Sequence, residues 1–176
     1  MVTSIQLTKG RTALIDDQDY ELVNQFNWVY LDNGRRGYAI NTYQRVTRLM
    51  HRLILDAPSG VCVDHIDGDG LNNTRANLRL CSHAQNIRNQ EIHRDNSSGF
   101  KGVTWDSRNY MWKARIECDG KSHFLGLFID VLDAAAAYNK AALALHGDFA
   151  KLNVIPSRRH FTHTKSPLPK FGGQAP

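Results

Sequence analysis

Asp64 and His65 stand side by side after the apolar stretch Val61-Cys62-Val63, and the polar run that follows carries Asn72, Asn73 and Asn77, with Asn86 beyond it. Hydrolysing a phosphodiester requires an activated water and a way to neutralise charge on the phosphorane and the leaving 3′ oxygen. A neutral imidazole supplies the first and a divalent cation the second. Asp64 offers a hard anionic oxygen and Asn86 a neutral amide oxygen. Two protein ligands leave coordination positions for water and phosphate, as is usual for Mg²⁺. His65 is then the general base, provided its imidazole is unprotonated at about pH 7. Asn77 is placed to hydrogen-bond across the base of the loop and hold the backbone carbonyl that aims His65. The pattern calls for one divalent cation per site, Mg²⁺ first and Mn²⁺ second.

Simpler readings compete with this one. Asp67-Gly68-Asp69-Gly70 invites a calcium loop, but a register with Gly70 sixth puts His65 first and Ala76 twelfth, where an acidic residue and a bidentate Glu are required. That reading fails on its own spacing. An Asp-His pair taken alone is more often structural than catalytic, and Asn-rich loops commonly only make turns. His51, on an apolar helical stretch, reads as a packed core residue, and His83 as a residue near a helix start that touches phosphate at most. The joint spacing carries the functional reading.

The elements that must position these groups follow from periodicity and punctuation. From Ser4 to Asn41, short apolar segments separated by Lys9-Gly10, an acidic stretch and Asp32-Asn33-Gly34 predict strands with hairpin turns, with a short helix within Asp16 to Phe26. Leu49 to Leu55 predicts another short helix, ended before Ala57-Pro58 because the residue preceding proline avoids helical angles. Val61-Cys62-Val63 and Leu78-Arg79-Leu80 predict two strands flanking a polar loop. Ser82 with Gln85 fits a capping box opening a helix to about Gln90, with Asn86 on its first turn or so.

Asp95-Asn96-Ser97-Ser98-Gly99 is the best boundary in the chain. After it, Met111 to Cys118 alternates, with Trp112, Ala114 and Ile116 on one face and Lys113, Arg115 and Glu117 on the other. Asp119-Gly120 marks a hairpin turn and Lys121 to Phe128 a return strand. Asp130 caps an alanine-rich helix stopped by Gly147. The polar sheet face, with Lys113 and Arg115, is the one available to DNA phosphates and guanine edges, while the apolar face packs on the helix.

Composition is that of a folded protein, 41% hydrophobic and 22% charged, with a formal charge of +5. Residues 1–95 hold 11 basic and 11 acidic side chains and residues 96–176 hold 11 and 6, so the second half is the expected polyanion grip. Cys62, Cys81 and Cys118 form no C-x-x-C pair and are expected as reduced core residues, without zinc or a disulfide framework. No apolar run approaches the roughly 18 residues needed to span a bilayer, and Met1-Val2-Thr3-Ser4 opens no signal peptide. A reducing cytoplasm is the expected location, that of a bacterial host if the gene is a phage's.

Asp64-His65, Asn72-Asn73, Asn77-Leu78 and Asn86, preceded by Met50-His51-Arg52-Leu53, resemble the HNH homing endonucleases of phages and introns, which have the ββα-metal fold. The resemblance implies His65 as water activator, Asn77 as loop organiser, and Asp64 with Asn86 as metal ligands. The last position is asparagine rather than the histidine of the family name, which bears on metal preference. Separately, Gly99-Phe100-Lys101-Gly102-Val103, Trp112-Lys113-Ala114-Arg115-Ile116, Leu125-Gly126-Leu127-Phe128 and His146 to Asn153 resemble the APETALA-two (ethylene response factor) DNA-binding domain over about residues 98–155. That likeness implies DNA contacts from Lys101, Thr104, Arg108, Lys113, Arg115 and His123.

The expected fold class is α+β, an N-terminal HNH ββα-metal module followed by a three-stranded antiparallel sheet packed on one helix. The expected domains are a nuclease domain at 1–95 with its strand-rich N-terminal region, an APETALA-two-like domain at 96–155, and an extended or disordered tail at 156–176. The expected function is metal-dependent cleavage of double-stranded DNA by a monomer or weak homodimer, with no membrane partner. The alternatives are a sequence-specific DNA-binding regulator with an inactive HNH-like half and, more weakly, a protein acting on RNA.

Overall fold

The computed structural model describes residues 1–34, 37–90, 92 and 96–157. It mixes helix and sheet, and its contacts divide the chain into two compact units, Met1–Gln90 and Glu91–Pro176. The extended tail expected from residue 156 lies outside the described residues from 158 onward, and Asp95 of the expected boundary lies outside them as well. Among the described residues no helix is long and apolar enough to cross a membrane.

In the first unit β1 (Val2–Gln6) and β2 (Thr12–Asp16) form an antiparallel hairpin. A short 3-10 turn leads into α1 (Tyr20–Val23), a shorter helix than the apolar spacing over Asp16 to Phe26 suggests. The strands β3 (Val29–Asp32), β4 (Gly37–Tyr43) and β5 (Val46–Leu49) make a three-stranded sheet that runs directly into α2 (Met50–Ile54). Then β6 (Cys62–His65), β7 (Leu78–Cys81) and α3 (His83–Arg88) complete a strand, loop, strand and helix unit. Ala13, Ile15, Val23, Trp28, Ala39, Met50, Ile54 and Leu78 bury their side chains together. Each element is too short to hold its own shape in water, so this shared apolar burial and the ladders keep them in place.

Two polar fastenings set the frame around β6. Arg52 reaches from α2 to the carbonyls of Val61 at 2.6 Å, Ala57 at 3.0 Å and Pro58 at 2.7 Å, tying helix to strand entry. At the start of α3 the capping box is present in both directions, Gln85 N–H to Ser82 Oγ at 3.2 Å and Ser82 N–H to Gln85 Oε1 at 2.8 Å.

In the second unit β8 (Val103–Asp106), β9 (Met111–Cys118) and β10 (Lys121–Phe128) form an antiparallel sheet with β9 central, and α4 (Val131–His146) packs against it. Asp130 Oδ1 accepts from Leu132 N–H at 2.8 Å to open α4, and Gly147 ends it at φ 53°. The alternation of β9 becomes burial of Trp112, Ala114 and Ile116 against Val131, Leu132, Ala134, Ala135, Tyr138 and Ala142. Alanines at the contact let helix and sheet approach closely. Gly102 (φ +73°) sits where a Cβ would come within 2.1 Å of the Tyr138 ring and 2.5 Å of the Arg115 carbonyl, so only glycine fits there.

Candidate active site

β6 and β7 pair with Asp64 opposite Arg79 and His65 opposite Leu78. Successive residues of a strand face opposite ways, so Asp64 turns toward the α3 side and His65 toward the core side. Both are nearly inaccessible, at 1% and 2% exposure.

On the first face Asp64 Oδ2 accepts from Arg79 Nε at 2.9 Å and Nη2 at 2.7 Å. Asn89, just past the end of α3, donates from Nδ2 to Asp64 Oδ1 at 3.0 Å and Oδ2 at 3.1 Å and to the His65 carbonyl at 2.9 Å. Asn86 stands three residues earlier on the same side of the helix, half-buried and with no side-chain hydrogen bond among the described residues. The structure thus brings Asn89, not Asn86, into contact with Asp64.

On the other face His65 Nε2 lies 3.3 Å from Asn73 Oδ1. Asn73 Nδ2 donates to the Leu71 carbonyl at 3.1 Å, which fixes the amide with its oxygen toward the histidine. A neutral His65 therefore carries its proton on Nε2 and keeps the Nδ1 lone pair. The His65 ring also packs edge-on against His51 at 4.9 Å between centroids, and near Tyr38 at 6.0 Å.

The loop between the strands is held mostly by its own side chains. Asn77 Oδ1 accepts from Asp67 N–H at 3.0 Å, and its Nδ2 donates to Asp67 Oδ1 at 2.9 Å and the Asn72 carbonyl at 2.8 Å. Asn77 does span the loop base, but it does not hold the His65 carbonyl. Asn89 and the Gly68 N–H, at 3.0 Å, do that. Burial of Asp67 opposes its ionisation, yet the Asp69 N–H, the Asn72 and Asn77 amides and nearby His65 together keep its carboxyl below the usual carboxylate range. The first hairpin clamps the loop from outside. Leu14 N–H bonds to the Leu71 carbonyl at 2.8 Å and Asn73 N–H to the Leu14 carbonyl at 2.7 Å, while Arg75 grips Asp19 through Nε at 3.0 Å and Nη2 at 2.7 Å.

His51 is 6% exposed. Burial, with His65 and Arg52 beside it, pulls its imidazole from 6.5 down to about 3. The unfolded chain takes up this proton near its ordinary pKa while the folded chain refuses it until about pH 3. The contribution to stability is therefore complete above about pH 6.5 and is lost as pH falls toward the folded value, at up to ~1.4 kcal/mol per pH unit. Urea unfolding at about pH 7, 5.5 and 4.5 should show this fall. A His51→Phe variant should lose nearly one proton's worth of the slope, and an unchanged slope would remove His51 as its source.

Arg79, Asn73 and Asn89 escape a reading of the sequence for metal ligands. The signals for them were strand register opposite Asp64 for the first, tautomer control for the second and helical spacing from Asn86 for the third. Among the described residues no three His, Cys, Asp or Glu side chains gather as a metal set. Among the described residues Asp64 Oδ1 takes only the Asn89 donor and the Asn86 amide oxygen takes none, and both are hard donors that fit an oxygen-seeking divalent ion with open water positions.

In the second unit, directly opposed residues share a sheet face. Thr104 lies opposite Lys113, and Arg115 opposite Phe124, so Thr104, Lys113 and Arg115 come together with Phe124, which is 66% exposed. His123 lies opposite Ile116 and so belongs to the α4 side of the sheet, apart from them. Arg108 is in the turn before β9, and Lys101 precedes β8 with its backbone held by Asn153. Asp106, 3.8 Å from Lys113 Nζ, and Glu117 sit on the same face as the two cations and offset their charge.

A hairpin closed by a helix, with a buried carboxylate and imidazole on its first strand and amides from its loop and helix, defines a ββα site. Residues 48–88 match the family described as HNH endonuclease. The chain is 35% identical over 152 residues to an uncharacterised HNH endonuclease of Acanthamoeba polyphaga mimivirus, covering 84% of this chain and 77% of that one. It is 36% identical over 94 residues to Protein 3.8 of Escherichia phage T7, covering 53% of this chain and 77% of that one. No solved structure matches. The chain belongs to the HNH endonuclease family, whose members typically use a divalent metal ion and act on DNA.

Proposed function

We propose that this protein is a metal-dependent DNA endonuclease of the homing type that nicks or cuts duplex DNA in the cytoplasm of a host cell. The observation that carries the reading is the register that places Asp64, locked by Arg79 and Asn89, next to a His65 whose tautomer is set by Asn73. Asp64 Oδ1 and Asn86 Oδ1 would hold the ion, Mg²⁺ or Mn²⁺. The bound ion supplies charge neutralisation at the phosphate and leaving oxygen. His65 Nδ1 takes the proton of the attacking water, with Asn73 receiving the hydrogen bond from Nε2. Asn77 and the β2 contacts keep the loop from drifting. The second unit, which resembles an APETALA-two domain, lays Thr104, Lys113 and Arg115 on the duplex and lengthens the footprint of a compact cutting site. The test is cleavage of supercoiled plasmid and phage genomic DNA with Mg²⁺ or Mn²⁺ and an EDTA control. Metal-dependent relaxed or linear product supports the reading, and duplex binding without any cleavage favours the regulator alternative.

Charge distribution makes a second expectation. Residues 96–157 hold 7 basic and 6 acidic side chains, whereas 158–176 hold Arg158, Arg159, Lys165 and Lys170 and no acid, so most of the +5 excess lies there. Ending the chain after Ser157 should flatten the slope of log affinity against log salt by about 3 to 4. An unchanged slope would take those four cations off the DNA.

A further inference from the structure

Of the chain's cysteines, Cys62 and Cys81 face each other across the antiparallel β6 and β7, two positions from the Asp64–Arg79 pair. Ile66 N–H bonds to the Asn77 carbonyl at 2.9 Å and continues this ladder. The alternation of an antiparallel ladder then makes Asp64/Arg79 and Cys62/Cys81 hydrogen-bonded pairs, with side chains on one face and Cα atoms about 5.5 Å apart. Disulfides bridge Cα separations of about 4.4–6.8 Å, commonest at roughly 5.5–6 Å. Bridging therefore needs no change of register, only a local closing of the Cβ separation from about 5.5 Å, as in hydrogen-bonded pairs, to the roughly 3.5–4.5 Å of a disulfide. Cys62 is half-buried and can meet a small oxidant, while Cys81, at 6% exposure, is shielded.

We propose that Cys62 and Cys81 are a redox modification site, forming a reversible disulfide that staples the hairpin carrying Asp64 and His65 in its working register. A hydroperoxide is the oxidant. Cys62 sulfur attacks the peroxide oxygen, the O–O bond breaks, and water leaves to give a sulfenic acid at Cys62. Cys81 sulfur then displaces the sulfenic oxygen, which departs as a second water when the S–S bond forms. Two thiols lose two electrons and two protons, and one hydrogen peroxide becomes two waters. A dithiol reductant reverses the bond by exchange. Cys118 belongs to the other unit, with its sulfur near Asp119 and the Leu145 carbonyl, and serves as an internal reference thiol.

The test uses the full chain, treated with graded hydrogen peroxide, alkylated and mapped by peptide mass spectrometry, and needs no assumption about cleavage. The expected product is a Cys62–Cys81 linked peptide lacking two hydrogens and restored by dithiothreitol. Its unfolding midpoint without reductant should rise by about 5–10 °C, since the link constrains the unfolded chain. Cys118→Ser should keep the link, and Cys62→Ser and Cys81→Ser should each abolish it. The proposal is overturned if Cys62 and Cys81 remain fully alkylatable at peroxide levels that oxidise Cys118. It is equally overturned if Cys62 passes to sulfinic acid unlinked, or if the bond formed involves Cys118. Mapping the wild-type chain decides the matter even if a serine variant misfolds.

Discussion

Replacing His65 by alanine should lower metal-dependent DNA cleavage by about 10²–10⁴-fold, the range expected when a general base is removed, while duplex binding changes by about twofold or less. The asymmetry follows from position. His65 is on the core side of β6, 2% exposed, and in contact with Asn73, His51 and Tyr38, so it has little surface to give to DNA affinity. Its proton is directed to Asn73 through Nε2, which makes Nδ1 the basic nitrogen of the ring. Asn73→Ala should then give a smaller loss, because it frees the ring to exchange tautomers without deleting the base. Unfolding midpoints for both variants separate lost chemistry from lost fold. Full cleavage by His65→Ala, with a wild-type midpoint, would end the general-base assignment.

The second large effect concerns stability. Arg79→Met should destabilise the first unit by about 3–5 kcal/mol, because it strands the Asp64 carboxylate where its side chain has no solvent access. The Arg79 side chain keeps 17% exposure against none for Asp64, so the burden falls on the acid. Combining Arg79→Met with Asp64→Asn removes the charge together with its partner and leaves an amide that still meets Asn89. The double variant should return to within about 1–2 kcal/mol of the parent in urea unfolding and yet show no metal-dependent cleavage. If Arg79→Met alone unfolds like the parent, the ion pair does not secure the hairpin.

These two residues also mark where a reading of the sequence stops. Asp64, His65, Asn77 and Asn86 stand out because their types and spacing match a reaction, and the flanking signals at Ser82–Gln85 and Asp119–Gly120 have local causes that operate within a few residues. The apolar alternation of β9 is equally local, and Trp112, Ala114 and Ile116 are buried as it implies. The partners of the site are not local. Arg79 is 15 residues from Asp64 and Asn89 is 25, and only the pairing of β6 with β7 and the docking of α3 decide that these, rather than other arginines and asparagines, meet the carboxylate. Sheet register likewise separates His123 from Lys113 and Arg115 and sets Asp106 beside Lys113.

What the amino-acid order determined by itself is the chemistry available, the strand, loop, strand and helix layout and the placement of caps, turns and alternating faces, because each depends on residue type over a short stretch. What the tertiary structure alone decided is which donors meet each oxygen of Asp64, which nitrogen of His65 faces Asn73, and which two cysteines face one another. Each of those is set by groups far apart in the chain, brought within hydrogen-bonding distance or into direct strand pairing by the burial of apolar surface.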